Sequence, residues 1–258
     1  MLKLNSKIKI LSTLLIALMI TKDVYAQVVS LKLDKLFYFY DNTKPVGEVK
    51  VSNESDFLTA VRFKVYDQKK TLSESIGFDF EKDSEDIDVF PNEFILSPKR
   101  KQNVSLNITP IGSDNTERIF RVRAIPVPLD EMLSDNTELK KLLSEEQKLK
   151  YSQEGNTTAK LNVGIGYGAI VVTQPFSEIR PNLLDISFDK SGTKVNNRSK
   201  YVVEISNLII NGRVMDNLIL KGLSSKKLKL NERVNSLKGV LQNGIRIKCN
   251  QSGECNEI

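Results

Sequence analysis

The sequence contains no histidine, and this absence excludes several familiar kinds of active site. Serine and cysteine nucleophiles are commonly activated by a histidine base, and most zinc sites use histidine ligands. Only two cysteines are present, which is too few for an all-thiolate metal site. The sequence also has no Gly-x-x-x-x-Gly-Lys-Ser/Thr run for binding ATP phosphates. We therefore expect a protein that is not an enzyme and uses no cofactor or metal.

Long hydrophobic runs are also scarce. The main one, Ile10 to Ile20, follows a lysine-rich start and precedes Val24 and Ala26, which suit the −3 and −1 positions of a cleavage site. This layout is typical of a secretory signal peptide. The run is too short to span a bilayer as a helix, which takes about 20 apolar residues. The sequence predicts a signal peptide at residues 1–26, with an uncleaved anchor as the alternative, and an exported mature chain without stable membrane insertion.

The charge excess of the chain is small once this segment is removed. The whole sequence has 38 basic and 32 acidic residues, a net charge of +6. Residues 1–26 contain four lysines and one aspartate, so the mature chain has 38 − 4 = 34 basic and 32 − 1 = 31 acidic residues, or +3. This excess is spread along the chain, so we expect no nucleic-acid partner.

The two cysteines, Cys249 and Cys255, lie near the C-terminus with a Ser252-Gly253 turn between them. An exported protein meets an oxidising compartment, where such a pair forms a disulfide across the end of a hairpin. A redox-active pair is the alternative, but the spacing is not Cys-x-x-Cys. The sequence therefore predicts a structural disulfide.

Short segments with alternating apolar and polar residues dominate the mature chain, and turn residues separate them. This pattern is typical of β-sandwiches. Two sandwiches of roughly 100 residues each fit the mature length. Two prolines punctuate the segment 173–181, so the predicted domains are residues 27–174 and 175–258. Examples of the predicted strands are Val28–Leu33, Gly47–Asn53, Ala60–Asp67, Asn103–Thr109, Arg118–Ile125 and Tyr201–Gly212.

One polar, strongly charged segment, Pro128 to Thr158, interrupts this pattern, and its middle, Glu138 to Tyr151, favours a helix. We expect a long loop at 128–158. The strand KLNVGIGYGAIVV follows it, and its residues Leu161, Val163 and Ile165 share one face. Two hypotheses remain open on periodicity alone. The strand either packs in the core of its own domain, or it lends its apolar face to the incomplete sheet of another protein.

Five segments, taken in order, resemble the periplasmic pilus chaperones of the chaperone–usher pathway. VVSLKLDKLFYFYD is similar to the family's first strand, and VSN to the end of its next strand. FPNEFILSPKRKQNVSLNI resembles a turn followed by a strand, and ERIFRVRAIPVP resembles the family's Glu-(Arg/Ser)-x-Phe signature. IKCNQSGEC is similar to the C-terminal disulfide hairpin of the P-pilus chaperone. The strand at 160–172 resembles that of the alternative and class 5 (colonisation-factor) branch.

The resemblance implies an all-β fold of two immunoglobulin-like β-sandwich domains in a boomerang arrangement. It implies that Leu161, Val163 and Ile165 are donor-strand residues that complete a pilus subunit, and that Lys35 anchors the subunit's carboxylate. The implied partners are pilus subunits (pilin or adhesin) and an outer-membrane usher, and the implied location is the periplasm. The free protein has the means to associate with a second copy through the same strand.

The sequence departs from the family at its second basic anchor, which aligns near Ile170, where no basic residue stands. The nearest basic residues of the first domain are Arg121 and Arg123, in the preceding strand. A secreted structural or adhesive β-sandwich protein, such as a fimbrial subunit or a binding module, is the alternative interpretation. The internal position of the donor strand favours the chaperone, because a fimbrial subunit carries its donor segment at the mature N-terminus.

Overall fold

The structure is a computed structural model that describes residues 27–44, 46–56, 58–67, 84–109, 116–135, 141, 143–145, 162–165, 167–189, 192–228, 230 and 234–258. These residues form two β-sandwiches and one short helix. The predicted signal peptide, Leu161 and most of the predicted helix at 138–151 lie outside them. None of the helices within these ranges has the length and hydropathy to cross a membrane.

The first sandwich consists of two five-stranded sheets, in the orders β5-β7-β3-β1-β9 and β2-β10-β8-β4-β6. All neighbours pair antiparallel except β1 with β9 and β2 with β10, which are parallel. The strands are β1 (Gln27–Leu33), β2 (Phe37–Asp41), β3 (Val46–Asn53), β4 (Thr59–Asp67), β5 (Ile87–Phe90), β6 (Glu93–Leu96), β7 (Lys101–Ile108), β8 (Arg118–Val127), β9 (Asn162–Ile165) and β10 (Tyr167–Gln174).

Alternation along these strands builds the first core. In β7, Val104, Leu106 and Ile108 are buried, whereas the alternate residues Asn103 and Asn107 are exposed and Ser105 is half-buried. Such a period of two places alternate side chains on opposite faces of a sheet. The same alternation in β1, β3, β4, β8 and β10 lines the space between the two sheets with aliphatic and aromatic side chains. Burial of these apolar side chains is the main term that stabilises the sandwich.

Residues 162–165 and 167–172 of the segment predicted as one strand are both β-strand, and these two parts pair in different sheets. β9 pairs with β1, and β10 pairs with β2. The N-terminal chain is itself interrupted between β1 and β2, so the two segments run side by side and change sheets together.

The expectation of a long loop at 128–158 is wrong at the start of this segment, where helix α1 (Leu129–Asp135) lies. Met132 is fully buried, and Glu131 forms an ion pair with Arg62 of β4 at 3.0 Å. The local signal was present in the sequence, since Pro128 precedes a first turn containing Asp130 and Glu131, and both features favour a helix N-terminus.

The second sandwich follows two short 3-10 helices, at Phe176–Glu178 and Pro181–Leu183. Its sheets have the orders β11-β12-β16 and β14-β13-β17-β18-β19, with β15 also paired to β13. The strands are β11 (Leu184–Asp189), β12 (Gly192–Asn197), β13 (Val203–Ile210), β14 (Arg213–Val214), β15 (Leu218–Leu220), β16 (Ser224–Lys227), β17 (Leu237–Leu241), β18 (Arg246–Cys249) and β19 (Cys255–Glu257). A second apolar core, separate from the first, lies between these sheets.

The predicted disulfide between Cys249 and Cys255 is confirmed. It joins paired positions of β18 and β19, and both cysteines are buried in the second core. The bridge encloses a short loop, and on the chain-entropy model it contributes only about 2 kcal/mol. It therefore fixes the last strand of the chain and leaves the rest of the sandwich to hydrophobic packing.

A buried asparagine closes one corner of the first sandwich. Asn53, at the end of β3, is fully buried. Its Nδ2 donates to the Leu96 carbonyl at 3.0 Å and the Ser97 carbonyl at 3.3 Å. Its Oδ1 accepts from the Ser55 amide at 3.0 Å and from the Ser55 hydroxyl at 2.6 Å. The side chain thus satisfies backbone groups that the strands leave unpaired.

The second sandwich repeats this device with Asn197, at the end of β12. Asn197 Nδ2 donates to the Tyr201 carbonyl at 2.7 Å and the Lys221 carbonyl at 2.9 Å. Its Oδ1 accepts from the Ser199 amide at 3.0 Å and hydroxyl at 2.7 Å. Both asparagines therefore head an Asn-x-Ser triplet whose serine bonds back to the asparagine, and both triplets have a structural role.

The two sandwiches meet at Val202, just before β13. Val202 packs against Ile119 and Val172 of the first sandwich. Its amide donates to Glu117 Oε2 at 2.6 Å, and its carbonyl accepts from Gln174 Nε2 at 3.0 Å. Burial raises the pKa of the Glu117 carboxyl to about 7, and the hydrogen bond from Val202 opposes this shift. The joint therefore combines a small apolar contact with hydrogen bonds to both backbone groups of one residue.

Replacing Asn53 by alanine should lower the free energy of unfolding by about 2–4 kcal/mol, because two carbonyls and an amide lose their partner in a buried site. The measurement is urea unfolding followed by far-UV circular dichroism. Asn107→Ala, at an exposed position in β7, is the matched control and should change stability by less than about 0.5 kcal/mol. Equal stability of the two variants would contradict the role of Asn53.

The Glu117 carboxyl should make stability depend on pH between 5 and 8. Its folded-state pKa of about 7 lies above the usual 4.5, so its contribution is complete below about pH 4.5 and is lost as the pH rises through 7. The wild type should lose about 2–3 kcal/mol between pH 5 and pH 8 relative to Glu117→Gln, which keeps an acceptor for Val202 but does not titrate.

Urea unfolding of both proteins at the two pH values measures this difference. The chain has no histidine, so no other side chain with an ordinary pKa titrates in this window. The same pH dependence in wild type and Glu117→Gln would show that the Glu117 carboxyl is not the source.

Candidate functional site

The candidate donor strand lies at the edge of a sheet. β9 pairs on one side with β1, with Val163 opposite Val28 and Ile165 opposite Ser30. No strand in the described part of the chain pairs with its other side. The structure therefore places Val163 and Ile165 in an edge strand, and Leu161 lies outside the described residues. The outer edge of β9 leaves its backbone groups without a strand partner, which is the arrangement that accepts a strand from another protein.

β1 and β9 pair in parallel. Within the described ranges, Gln27–Ser30 pair with Asn162–Ile165. Parallel pairs are slightly less stable per residue than antiparallel ones. β9 is therefore held less firmly than the interior strands of the first sandwich.

Lys35, the candidate carboxylate anchor, lies in the exposed break between β1 and β2. Its Nζ is 5.9 Å from the centroid of the Tyr38 ring, and Tyr38 faces the core. The preceding residue, Asp34, accepts hydrogen bonds from the Tyr38 hydroxyl and from the Lys50 amide. The lysine is thus carried on a segment that side-chain hydrogen bonds hold to the sandwich.

Tyr40 fixes the adjoining strand β2. Its hydroxyl donates to the Glu48 carbonyl at 2.5 Å and accepts from the Glu48 amide at 3.0 Å. A Cβ on Gly47 would lie 2.6 Å from the Tyr40 ring, so only glycine lets the ring approach so closely. Burial raises the pKa of the Tyr40 hydroxyl to about 12, which keeps the hydroxyl protonated and able to donate.

Arg121 and Arg123 of β8 lie on the face of the β2-β10-β8-β4-β6 sheet that points away from the core, which we call the outer face. Arg121 pairs with Ile170 across the strands, and Arg123 pairs with Gly168. Val122 between them is buried in the core, so both arginines project from the outer face. The structure thus brings Arg121 beside the position where the sequence lacks a basic residue.

The outer face also carries the joint to the second sandwich. Ile119 of β8 and Val172 of β10 pack against Val202, and Ile170 borders this cluster. Arg121 follows Ile119 by two residues on the same face, so the arginines lie next to the joint. Lys35 immediately precedes Leu36, whose carbonyl accepts from the Ile170 amide at 2.8 Å, so the segment that carries Lys35 lies alongside β10.

Register across three strands determines this arrangement, and no local motif encodes it. The sequence indicated Arg121 and Arg123 as the nearest basic residues. It did not indicate that they lie on the same face of the sheet as the joint between the sandwiches. The Glu117–Val202 hydrogen bond had no sequence signal, since 85 positions separate the two residues. Across the described ranges, no three acidic or cysteine side chains lie close enough together to hold a metal ion.

Comparison of the sequence with protein-family models gave no match, and neither did comparison with curated proteins. Comparison of the fold with solved structures did give matches. The E. coli chaperone DraB is 14% identical, with a TM-score of 0.51, over 90% of this chain and 99% of that chain. A chain in the Salmonella enterica complex of the SafA pilin with the SafB chaperone is 14% identical, with a TM-score of 0.50, over 91% of this chain and 98% of that chain.

A class 5 fimbriae chaperone, CfaA, is also 14% identical, with a lower TM-score of 0.44, over 82% of this chain and 92% of that chain. The DraB and SafA–SafB similarities extend over nearly the whole of both chains, so they include both sandwiches. The predicted all-β fold class of two immunoglobulin-like sandwiches in a boomerang arrangement is confirmed, and this chain has the fold of the pilus chaperones.

Proposed function

We propose that this protein is a periplasmic chaperone that binds pilus subunits by donor-strand complementation and delivers them to an outer-membrane usher. The observation that carries the proposal is the open outer edge of β9, the strand that contains Val163 and Ile165. The fold shared with DraB and with the SafA–SafB complex supports the same function, since one of these structures contains a pilin. The act is binding, without catalysis.

Strand addition explains why an edge strand serves this purpose. A subunit that lacks a strand leaves backbone groups unpaired in its groove, and each costs about 1–3 kcal/mol when buried. The outer edge of β9 supplies partners for these groups. Leu161, Val163 and Ile165 alternate along the donor strand, and each apolar side chain buried in the groove adds roughly 1.5–3 kcal/mol.

Lys35 is proposed to set the register of this pairing by holding the subunit's terminal carboxylate. It is exposed and close to the start of β2, while the Asp34 and Tyr38 hydrogen bonds keep its segment in place. An ammonium–carboxylate hydrogen bond is stronger than one between neutral groups. Residues 27–174 then form the subunit-binding domain, and residues 175–258 form the second domain, which closes the cleft.

The donor strand is tested by co-expression with candidate subunits encoded nearby, followed by pull-down of the chaperone. Leu161→Asp/Ile165→Asp should lower subunit recovery at least about ten-fold, because two carboxylates cannot enter an apolar groove without a large desolvation cost. Val214→Asp is the matched control. It places the same charge on an exposed apolar residue of another edge strand, β14, and should retain the subunit fully.

Undiminished recovery with the double variant, or no recovery with the wild type, would contradict the chaperone function. The structural or adhesive β-sandwich alternative would then take its place.

The anchor is tested by competition between wild type and Lys35→Ala for a limiting amount of the recovered subunit. Loss of one charge-assisted hydrogen bond should weaken subunit binding about ten-fold and reduce its sensitivity to salt. Lys44→Ala, at an exposed lysine in the turn that follows β2, should compete as well as the wild type. If Lys35→Ala competes as well as the wild type, Lys35 does not anchor the subunit's carboxylate.

A further inference from the structure

The basic excess of the mature chain lies in the second sandwich. Residues 175–258 contain 14 basic and 8 acidic residues, a net charge of 14 − 8 = +6. Residues 27–174 contain the remaining 34 − 14 = 20 basic and 31 − 8 = 23 acidic residues, a net charge of −3. This count by domain corrects the expectation of an excess spread along the chain. A strongly basic domain joined to an acidic one indicates that the basic domain has an anionic partner.

One face of the second sandwich presents a row of this charge. Register across its larger sheet gives a row with one residue from each strand in the order β14-β13-β17-β18-β19, namely Val214, Ile209, Lys238, Lys248 and Asn256. The row faces away from the second core, because residues next to its members, Ile210, Leu237 and Ile247, are buried in that core. Arg246 lies on the same face, two residues before Lys248. We call Lys238, Lys248, Arg246, Ile209 and Val214 the basic face.

The basic face is costly to the protein alone. Lys238 and Lys248 stand directly opposite each other on neighbouring strands, and like charges in that position destabilise a sheet. Among the described residues, no carboxylate forms an ion pair with either lysine or with Arg246.

The two acids that the strands of this sheet contain do not relieve the cost. Glu204 lies at the start of β13, beside the joint, where it accepts from Asn217 at 3.0 Å. Glu257 of β19 pairs with the buried Ile247, so it does not share the face with the lysines. The cations of the basic face therefore remain available to anions from outside the chain.

Exposed aliphatic side chains adjoin these cations. Val214 of the edge strand β14 is 80% exposed, and Ile209, which pairs with it, is 36% exposed. Cations beside exposed apolar side chains match a phospholipid surface, because anionic headgroups there lie just above the acyl chains. The row spans the full width of the sheet, so it suits an extended flat surface better than a narrow segment of protein.

The position of the row separates it from the first sandwich. The joint residue Val202 precedes β13, and Ile209 lies near the end of that strand, roughly 20 Å further along at the usual rise per residue. Contacts made by the row therefore use neither β9 nor Lys35.

We propose that the basic face binds the surface of a membrane that contains anionic phospholipids. Lys238, Lys248 and Arg246 contact the headgroup phosphates, and Val214 and Ile209 enter the boundary between headgroups and acyl chains. The phosphates neutralise the repulsion between the two lysines. This association is peripheral and reversible, unlike the insertion of a spanning segment, and it holds the second sandwich at the membrane while the first sandwich stays accessible.

Sedimentation of the mature chain with vesicles tests the proposal. One set of vesicles is phosphatidylcholine mixed with phosphatidylglycerol, which is anionic, and the other is phosphatidylcholine alone. We expect at least about ten-fold stronger binding to the anionic vesicles, and loss of the difference in high salt, which screens exposed charges. Equal binding to both sets, or binding to neither, would overturn the proposal. The assay contains no subunit, so its result is independent of the donor-strand pull-down.

Two matched lysine pairs connect vesicle binding to this face. Lys238→Gln/Lys248→Gln should weaken binding to the anionic vesicles at least about ten-fold. Lys194→Gln/Lys227→Gln is the control, because it removes the same charge from a directly opposed pair on the other sheet, between β12 and β16. The control should bind nearly as well as the wild type. An equal loss in both double variants would show that net charge alone drives binding, and would overturn the assignment to the basic face.

The apolar contribution is tested in the same assay with Val214→Asn, which removes the aliphatic side chain without adding charge. We expect several-fold weaker binding to the anionic vesicles, since less apolar surface leaves water. Unchanged binding would contradict the entry of this side chain into the membrane boundary.

An acidic protein is the rival occupant, and poly-L-glutamate serves as its probe. If poly-L-glutamate binds the wild type more tightly than Lys238→Gln/Lys248→Gln while neither set of vesicles binds, the face belongs to an acidic protein and the membrane proposal is overturned.

Discussion

The side-by-side course of the first and last segments of the first sandwich is the constraint on which the rest of the structure depends. β1 and β2 run parallel to β9 and β10, and both segments pass from one sheet to the other. This shared crossing places β9 at the edge of one sheet and β10 in the interior of the other. A single segment of chain therefore provides both an edge strand of one described sheet and an interior strand of the other.

The interior position of β10 connects the edge strand to the second sandwich. β10 ends at Gln174, whose side chain donates to the Val202 carbonyl, and Glu117, just before β8, accepts from the Val202 amide. The arginine pair stands two and four residues beyond Ile119 of the joint on the same strand. The outer face of β8 thus adjoins the joint between the two sandwiches.

The fold was largely predictable from the sequence because period-two alternation is a local property. Segments such as β4, β7 and β8 showed it clearly, and the Cys249–Cys255 bridge followed from spacing and export. The change of sheet within residues 160–172 was not predictable. The sheet that each part joins depends on its neighbour, which is β1 for residues 162–165 and β2 for residues 167–174. These neighbours belong to the N-terminal segment, so the sequence of 160–172 alone does not show the change.

The candidate site was predictable only in part for the same reason. Alternation placed Leu161, Val163 and Ile165 on one face, and the resemblance indicated Lys35. The common face of Arg121, Arg123 and Gly168 depends on the register of β8 against β10, which no single segment encodes. Helix α1 was missed although Pro128 and its acidic first turn signalled it, because the surrounding polar composition favoured a loop.

Hydrogen exchange of the chaperone with and without a bound subunit tests the central claim, that the outer edge of β9 receives the partner's strand. Amides of residues 162–165 that point away from β1 should exchange at least about ten-fold more slowly in the complex, because they gain strand partners. The edge strand β16 of the second sandwich should be unaffected. Protection of β16 or another edge, with residues 162–165 unchanged, would contradict the account.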